Sequence, residues 1–234
     1  MHPTRAPEVS AVHKSSLEAA SETQASALFP AFLKLAGRKC LVVGAGPVGQ
    51  SKIEGLLPTG ADIVVVAPTA TEPVRAWAEL GRVRWNARSF EPADLENVFL
   101  VVVATSSSVL NEWIFEVANR RRVLCNVVDD PAHCDFYYPA VVRRGALQIA
   151  ISTDGKSPAL AQRLRKRMEE EFGPFYSSWL EELGNVRRQL FARPMDPEQR
   201  RRMLHELASA ASFEKFARSR QESSSQTQTR KDQS

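Results

Sequence analysis

The chain has 234 residues, 43% of them hydrophobic, and a formal net charge of +4. That apolar content is enough for one main domain and something smaller, and no run of roughly 18 apolar residues predicts a membrane-spanning helix. The positive charge predicts an anionic partner, and a small polyanionic substrate accounts for it without nucleic acid, since no helix-turn-helix, zinc-finger or aromatic-basic RNA motif is present.

Residues 1–27 are polar and rich in Ala and Ser, with no apolar segment of the kind a signal peptide needs, and are expected to form a disordered leader. The apolar strand Cys40–Val43 then runs into Gly44-Ala45-Gly46-Pro47-Val48-Gly49, a G-x-G-x-x-G turn followed by a helix-forming segment. In such a turn Gly44 permits the tight bend, Gly46 lets the backbone approach a pyrophosphate, and Gly49 lets the helix pack close to the strand. The free N–H groups and positive dipole end of the helix face the phosphates. A second apolar strand, Ile63–Ala67, completes a βαβ unit after Gly60.

Further along, Glu72–Leu80 reads as a helix, Val83–Trp85 as a short strand and Pro92–Leu95 as a turn or short helix. Val98–Ala104 is continuously apolar, the pattern of a parallel strand covered on both faces. Val109–Asn119 reads as a helix closed by Arg120-Arg121-Arg122, whose charges meet its negative dipole end. Val123–Val128 is the next strand, and the alternation predicts an open parallel sheet. Past Asp129 the pattern changes. Ala140–Val142 and Leu147–Ser152 flank a turn at Arg143-Arg144-Gly145 as antiparallel strands, which makes them a candidate dimer interface. Ser157-Pro158 opens a helix with an N-cap and a proline at its first position, with Leu160, Leu164 and Met168 as its apolar stripe. Phe175–Phe191 and a last helix opened by Asp196-Pro197 come next, and the stretch from about Ser219 reads as a disordered tail.

The three cysteines, Cys40, Cys125 and Cys134, lack C-x-x-C spacing, so neither a disulfide framework nor a structural zinc site is predicted, and a reducing cytoplasm fits. His133 is either a surface histidine or a metal ligand in transit, and no His/Cys/carboxylate cluster has the spacing of a closed metal site. Asp129 stands at a strand end over the crevice, where it is either a turn carboxylate bonded to local N–H groups or a catalytic base.

Three motifs occur in one order: the glycine turn, Asn126-Val127-Val128-Asp129-Asp130 with Cys134-Asp135-Phe136 and Pro139, and Ile149-Ala150-Ile151-Ser152-Thr153-Asp154-Gly155-Lys156-Ser157-Pro158. With them the chain resembles the precorrin-2 dehydrogenase/sirohydrochlorin ferrochelatase family, the bifunctional part of siroheme synthase, over about residues 28–168. The resemblance implies the stand-alone form, NAD as cofactor and oxidation of precorrin-2 to sirohydrochlorin. Many members of the family then insert Fe²⁺ as a substrate to give siroheme and some perform only the oxidation, and no residue of the sequence decides between the two. It implies a homodimer with neither nucleic acid nor membrane as partner. The fold class it implies is α/β: a disordered leader at 1–27, an NAD-binding Rossmann domain at 28–139, dimerisation strands at 140–157, a helical domain at 158–218 and a disordered tail at 219–234.

Residue by residue, the resemblance places Asp129 at the catalytic aspartate and Pro47 and Val48 at the pyrophosphate. Pro68 and Thr69 fall at the adenosine ribose and Thr105 beside the nicotinamide. Thr153, Lys156, Ser157 and Arg143 are implied to bind the polycarboxylate substrate, and Arg144 and Arg163 are further basic groups that serve either as donors to it or as solvated surface charges. Two departures stand out: Ala67-Pro68-Thr69 lacks the acidic residue that usually holds the ribose diol, and Asp154 replaces a glycine common in the family's turn. A different reading of the same residues is a non-catalytic, dimeric NAD(H)-sensing Rossmann protein whose basic helical end, around 163–167 and 187–202, binds a partner or DNA.

Overall fold

The computed structural model describes residues 28–231, with backbone alone from residue 223. The leader at 1–27 and residues 232–234 lie outside the described residues, and 28–34 carry neither helix nor strand. The chain divides into two units at Lys34, and every helix and strand belongs to the one that starts at Leu35.

Strands β1 (Lys39–Ala45), β2 (Asp62–Ala70), β3 (Arg84–Asn86), β4 (Leu100–Val103) and β5 (Leu124–Val127) form one parallel sheet in the order β3-β2-β1-β4-β5. Helices α1 (Pro47–Leu56), α2 (Glu72–Glu79) and α3 (Ser108–Arg120) make the crossovers. The apolar strands are covered on both faces, and side chains alternate between them with period two. Leu41, Val43, Val101, Val103 and Val127 pack with Ile114 and Val117 of α3. Cys40, Val42, Val65, Leu100 and Val102 turn the other way, onto Ile53 and Leu56 of α1 and Val74 of α2. From the neighbouring strands β1 and β4 the connections run in opposite directions, to β2 and to β5, at the C-terminal end of the sheet. That switch point opens the crevice in which such sheets bind ligands.

The second region is a hairpin and four helices. β6 (Ala140–Arg144) pairs antiparallel with β7 (Leu147–Ile151), as the sequence predicts, and Val142 is its buried centre. α4 (Pro158–Glu171) starts at Ser157, whose Oγ accepts from Leu160 N at 3.2 Å. Its end is held by Arg144, which donates from Nε to the Phe172 carbonyl at 2.8 Å and from Nη2 to the Glu169 carbonyl at 2.9 Å. Those carbonyls are among the acceptors a helix leaves open at its C-terminus. Arg144 is therefore a fastener between the hairpin and α4 rather than a free donor.

α5 (Phe175–Phe191) has the predicted bounds, but two helices come after it where one is expected, α6 (Pro197–Leu207) and α7 (Ala210–Lys231). The expected disordered tail thus meets a helix as far as Lys231. The cause is a second cap: Ser209 Oγ accepts from Ser212 N at 3.3 Å, and Phe213 stacks on Tyr176 of α5 with centroids 4.1 Å apart. A serine cap with an aromatic anchor restarts the helix where polarity alone reads as coil.

Two of the three free thiols sit in the sheet. Burial pushes Cys40 up to about 11 and Cys125 up to about 12, from an ordinary value near 9. The folded chain thus keeps two protons that the unfolded chain releases above about pH 9, so this stabilising contribution is complete below that pH and is lost as pH rises through 11 and 12. Urea unfolding is expected to show stability falling between pH 9 and 11 by on the order of 1 kcal/mol per pH unit for each thiol. The Cys40→Ala/Cys125→Ala double variant is expected to show a flatter profile over that interval.

Candidate functional site

The glycine turn is built by contact with β4. Gly44 has φ +99°, and a Cβ there would lie 2.3 Å from the Ala104 carbonyl oxygen, so both conformation and space demand glycine. A Cβ on Gly49 would lie 2.0 Å from the Gly44 carbonyl oxygen, so α1 can sit on the turn only without a side chain at that point. Gly46 differs: a Cβ there meets nothing within 4 Å, and the residue is exposed. It is the N-cap of α1, no side chain caps it, Pro47 brings no N–H, and Val48 is exposed beside it. The first N–H groups of the helix therefore face an open space shaped for an anion. These residues fit a dinucleotide: two glycines close the cradle and the third leaves its mouth clear.

Pro68 and Thr69 are exposed at the C-terminal end of β2, which continues to Ala70, and Thr71 N donates to the Ala45 carbonyl at 3.0 Å. No carboxylate stands there; the Arg75 guanidinium donates to the Ala70 carbonyl instead. Thr105 follows β4 directly, with its backbone against the glycine turn. Its hydroxyl donates to Asn111 Oδ1 at 2.5 Å and accepts from Ser107 N at 3.2 Å. Thr105 thus borders the cofactor crevice with its main chain and fastens the start of α3 with its side chain.

Asp129 leaves the sheet edge at the end of β5. Val128 N still donates to the Val103 carbonyl at 2.9 Å, and Asp129 then takes a left-handed backbone, φ +62°. It is exposed, and among the described residues no hydrogen bond and no ion pair within 4 Å engages its carboxylate. The role of local turn carboxylate falls to Asp130, whose Oδ2 meets His133 Nδ1 at 2.7 Å while the His133 ring packs on Phe115. His133 is therefore tied into the loop. Cys134 Sγ donates to the carbonyls of Val127 and Asp130, at 3.1 and 3.2 Å. Asn126 Nδ2 reaches both Cys134 Sγ and the Phe136 carbonyl, and Asp135 exchanges two 2.8 Å bonds with Cys125. The loop that carries Asp129 is stitched to β5 at Asp130 and again over Cys134–Phe136.

Sequence reasoning passed over Lys52, on α1. Its Nζ stands 4.2 Å from the Tyr138 ring centroid. Burial pulls the ammonium below the usual lysine value, and the nearby Asp129 and Cys134 act against that. The available signal was spacing: Lys52 directly precedes Ile53 in the buried Gly49, Ile53 and Leu56 stripe, where a fully solvated lysine is out of place.

Thr153, Lys156 and Ser157 come together in a separate turn ahead of α4. Thr153 Oγ1 accepts from Ser157 N at 3.2 Å, its carbonyl accepts from Lys156 N at 2.9 Å, and Lys156 Nζ lies 3.6 Å from Asp154 Oδ2. Asp154 holds φ +54°, so the backbone keeps the left-handed bend for which glycine is ordinarily used. Arg143 and Arg163 are exposed. Among the described residues no hydrogen bond or ion pair links this turn to Asp129 or to the glycine cradle.

A parallel sheet in the order 3-2-1-4-5 with a glycine cradle at its switch point defines a dinucleotide-binding protein of the Rossmann class. The comparisons agree. A family model described as NAD(P)-binding matches residues 31–140, and one described as sirohaem biosynthesis protein central matches 144–171. Siroheme synthase 1 of Pectobacterium atrosepticum is 40% identical over 178 residues, 76% of this chain and 37% of that protein. Siroheme synthase 1 of Cronobacter sakazakii is 46% identical over 140 residues, 60% of this chain and 30% of that protein. The chain thus spans about a third of the length of these relatives. Among solved structures, SirC, precorrin-2 dehydrogenase, superposes with a TM-score of 0.70 at 29% identity, over 82% of this chain and 98% of that one. Over residues 31–171 the chain is thus similar to the precorrin-2 dehydrogenase and siroheme synthase proteins.

The three glycines are expected to separate binding from folding. Gly46→Ala is expected to leave the thermal midpoint nearly unchanged while weakening NAD⁺ binding by about tenfold or more, about 1.4 kcal/mol, in calorimetric titration. Gly49→Ala should instead lower stability by about 1–3 kcal/mol, because the methyl meets a backbone carbonyl that cannot yield as a flexible side chain would.

Proposed function

We propose that this chain oxidises precorrin-2 to sirohydrochlorin with NAD⁺, and that Asp129 is the general base. The observation that carries the reading is the placement of an unengaged carboxylate at the end of β5, on the edge of the sheet where the glycine turn after β1 forms its cradle. When bound, NAD⁺ supplies the hydride acceptor. The chain's own part is to hold the cofactor at the switch point, to keep Asp129 directed by a stitched loop, and to take up the proton. Asp129 or solvent would take up the one proton that balances the hydride passed to the cofactor in each turnover. Fe²⁺ insertion is the second reaction of the family, and there the tetrapyrrole nitrogens become the ligands while their N–H protons leave. The same carboxylate serves that proton transfer.

The assignment of NAD rather than NADP rests on the similarity to this family, and the role of Asp129 on that similarity together with this geometry. A homodimer joined through β6 and β7 belongs to the same reading. Its support is that the two strands pair only with each other among the described residues, which leaves the ribbon's outer edges open to a second copy. A cytoplasmic location is supported by the three unpaired cysteines. Light scattering is expected to return about twice the 26.0 kDa chain mass.

The deciding experiment is anaerobic. Precorrin-2 is generated in situ, and absorbance is followed with NAD⁺ or NADP⁺ and then with Fe²⁺. Sirohydrochlorin is expected to form with NAD⁺, and Asp129→Asn is expected to bind NAD⁺ normally while losing about 10²–10⁴ in kcat. A folded wild-type protein that binds NAD⁺ yet oxidises nothing overturns the reading and favours a nucleotide-sensing protein.

A further inference from the structure

Lys52 has no part in the mechanism above, and its surroundings are unusual for a lysine. It is half-buried, with its ammonium over the face of Tyr138. Asp129 is near enough to act on its charge, yet among the described residues no carboxylate lies within 4 Å of Nζ. The other neighbour, Cys134, is held as a neutral thiol because burial raises it. A desolvated cation without an ion-pair partner is costly, and an anion brought to it relieves that cost. The aromatic face offsets part of the desolvation while leaving the ammonium's donors free.

Both sides of this arrangement are fixed. α1 is seated by Gly49 on the glycine turn. Tyr138 extends from the stitched loop, two residues past the Phe136 carbonyl that Asn126 holds at 2.8 Å. The anion that suits Lys52 is not the dinucleotide's pyrophosphate. Lys52 lies six residues along α1 from Gly46, about 9 Å at 1.5 Å per residue, and its ammonium rests over the Tyr138 ring within electrostatic reach of Asp129.

We propose that Lys52 is a substrate-binding residue, whose ammonium pairs with a carboxylate of the tetrapyrrole and so sets where the ring lies against Asp129. The inference rests on the function proposed above. It assigns the cation that a polycarboxylate substrate needs beside an anionic base, where the two would otherwise repel.

The test is equilibrium binding of sirohydrochlorin to the full chain, read by tryptophan quenching, alongside steady-state oxidation of precorrin-2. Lys52→Met is expected to weaken sirohydrochlorin binding and raise KM for precorrin-2 by about 10–100-fold, with KM for NAD⁺ unchanged. Lys52→Arg is expected to recover most of that loss. Circular dichroism melting of each variant guards against a folding defect, and Lys52→Gln provides a second neutral replacement should the methionine variant fail to fold. If the neutral variants bind sirohydrochlorin as wild type does, or lose NAD⁺ affinity instead, the assignment of Lys52 is wrong while the proposed function stands. If wild type neither binds nor oxidises the tetrapyrrole, both fall.

Discussion

The Ala104 peptide passes so close to Gly44 that no side chain fits between them, and most of the active region depends on that approach. It requires glycine at the end of β1 and brings β4 against β1, since Ala104 N donates to the Val43 carbonyl at 2.8 Å. With Gly44 in that place its carbonyl receives α1 only across a second glycine, Gly49. One steric constraint therefore orients the helix whose N-terminus makes the anion site, and also carries Lys52 to its place on the next turn and a half. The apolar strands supply the driving force for collapse, but packing of this kind is tolerant of exchange among similar side chains. The glycine contacts are not, because they involve main chain on both sides.

A second structure depends on the first without being dictated by it. The loop from Asp129 to Tyr138 packs Phe136 against the core of the sheet, and the stretch ahead of it is held by polar bonds to β5. Asn126, Cys134 and Asp135 each satisfy backbone groups that a surface loop would leave to water. The result is an exposed carboxylate on a backbone that has little freedom to wander. A well-placed base is ordinarily obtained from a strand or helix, and here a loop reaches similar definition by turning its polar side chains inward.

The sheet was legible because its signals are local. Uninterrupted valine and isoleucine runs, spaced by glycine and proline, leave few other arrangements for a parallel α/β fold. The hairpin and the cap at Ser157 were legible for the same reason. Features resting on distant partners were not. Nothing near Arg144 announces that its guanidinium will serve the carbonyls of residues 169 and 172, and nothing near Thr105 separates a hydroxyl that fastens α3 from one free for a ligand. Lys52 lies between these cases, since its spacing beside a buried stripe was visible but its neighbours Tyr138 and Asp129 are more than 70 positions away. The start of α7 was obscured by composition, since the polar stretch around Ser219 outweighed the serine and phenylalanine that begin the helix.

The strand order carries a metric consequence. The cradle follows β1 and the proposed base, Asp129, follows β5, with β4 alone between them. Neighbouring strands are about 4.8 Å apart, so the sheet spaces these two strands by about 10 Å. Hydrogen-bond ladders hold that gap far more stiffly than loops could, and it works as a caliper. Under the function proposed above, the dinucleotide would occupy one jaw, and whatever stands at the other would reach it only across β4. The distance between the cradle and Asp129 is thereby set by the backbone itself, ahead of any side chain that lines the crevice.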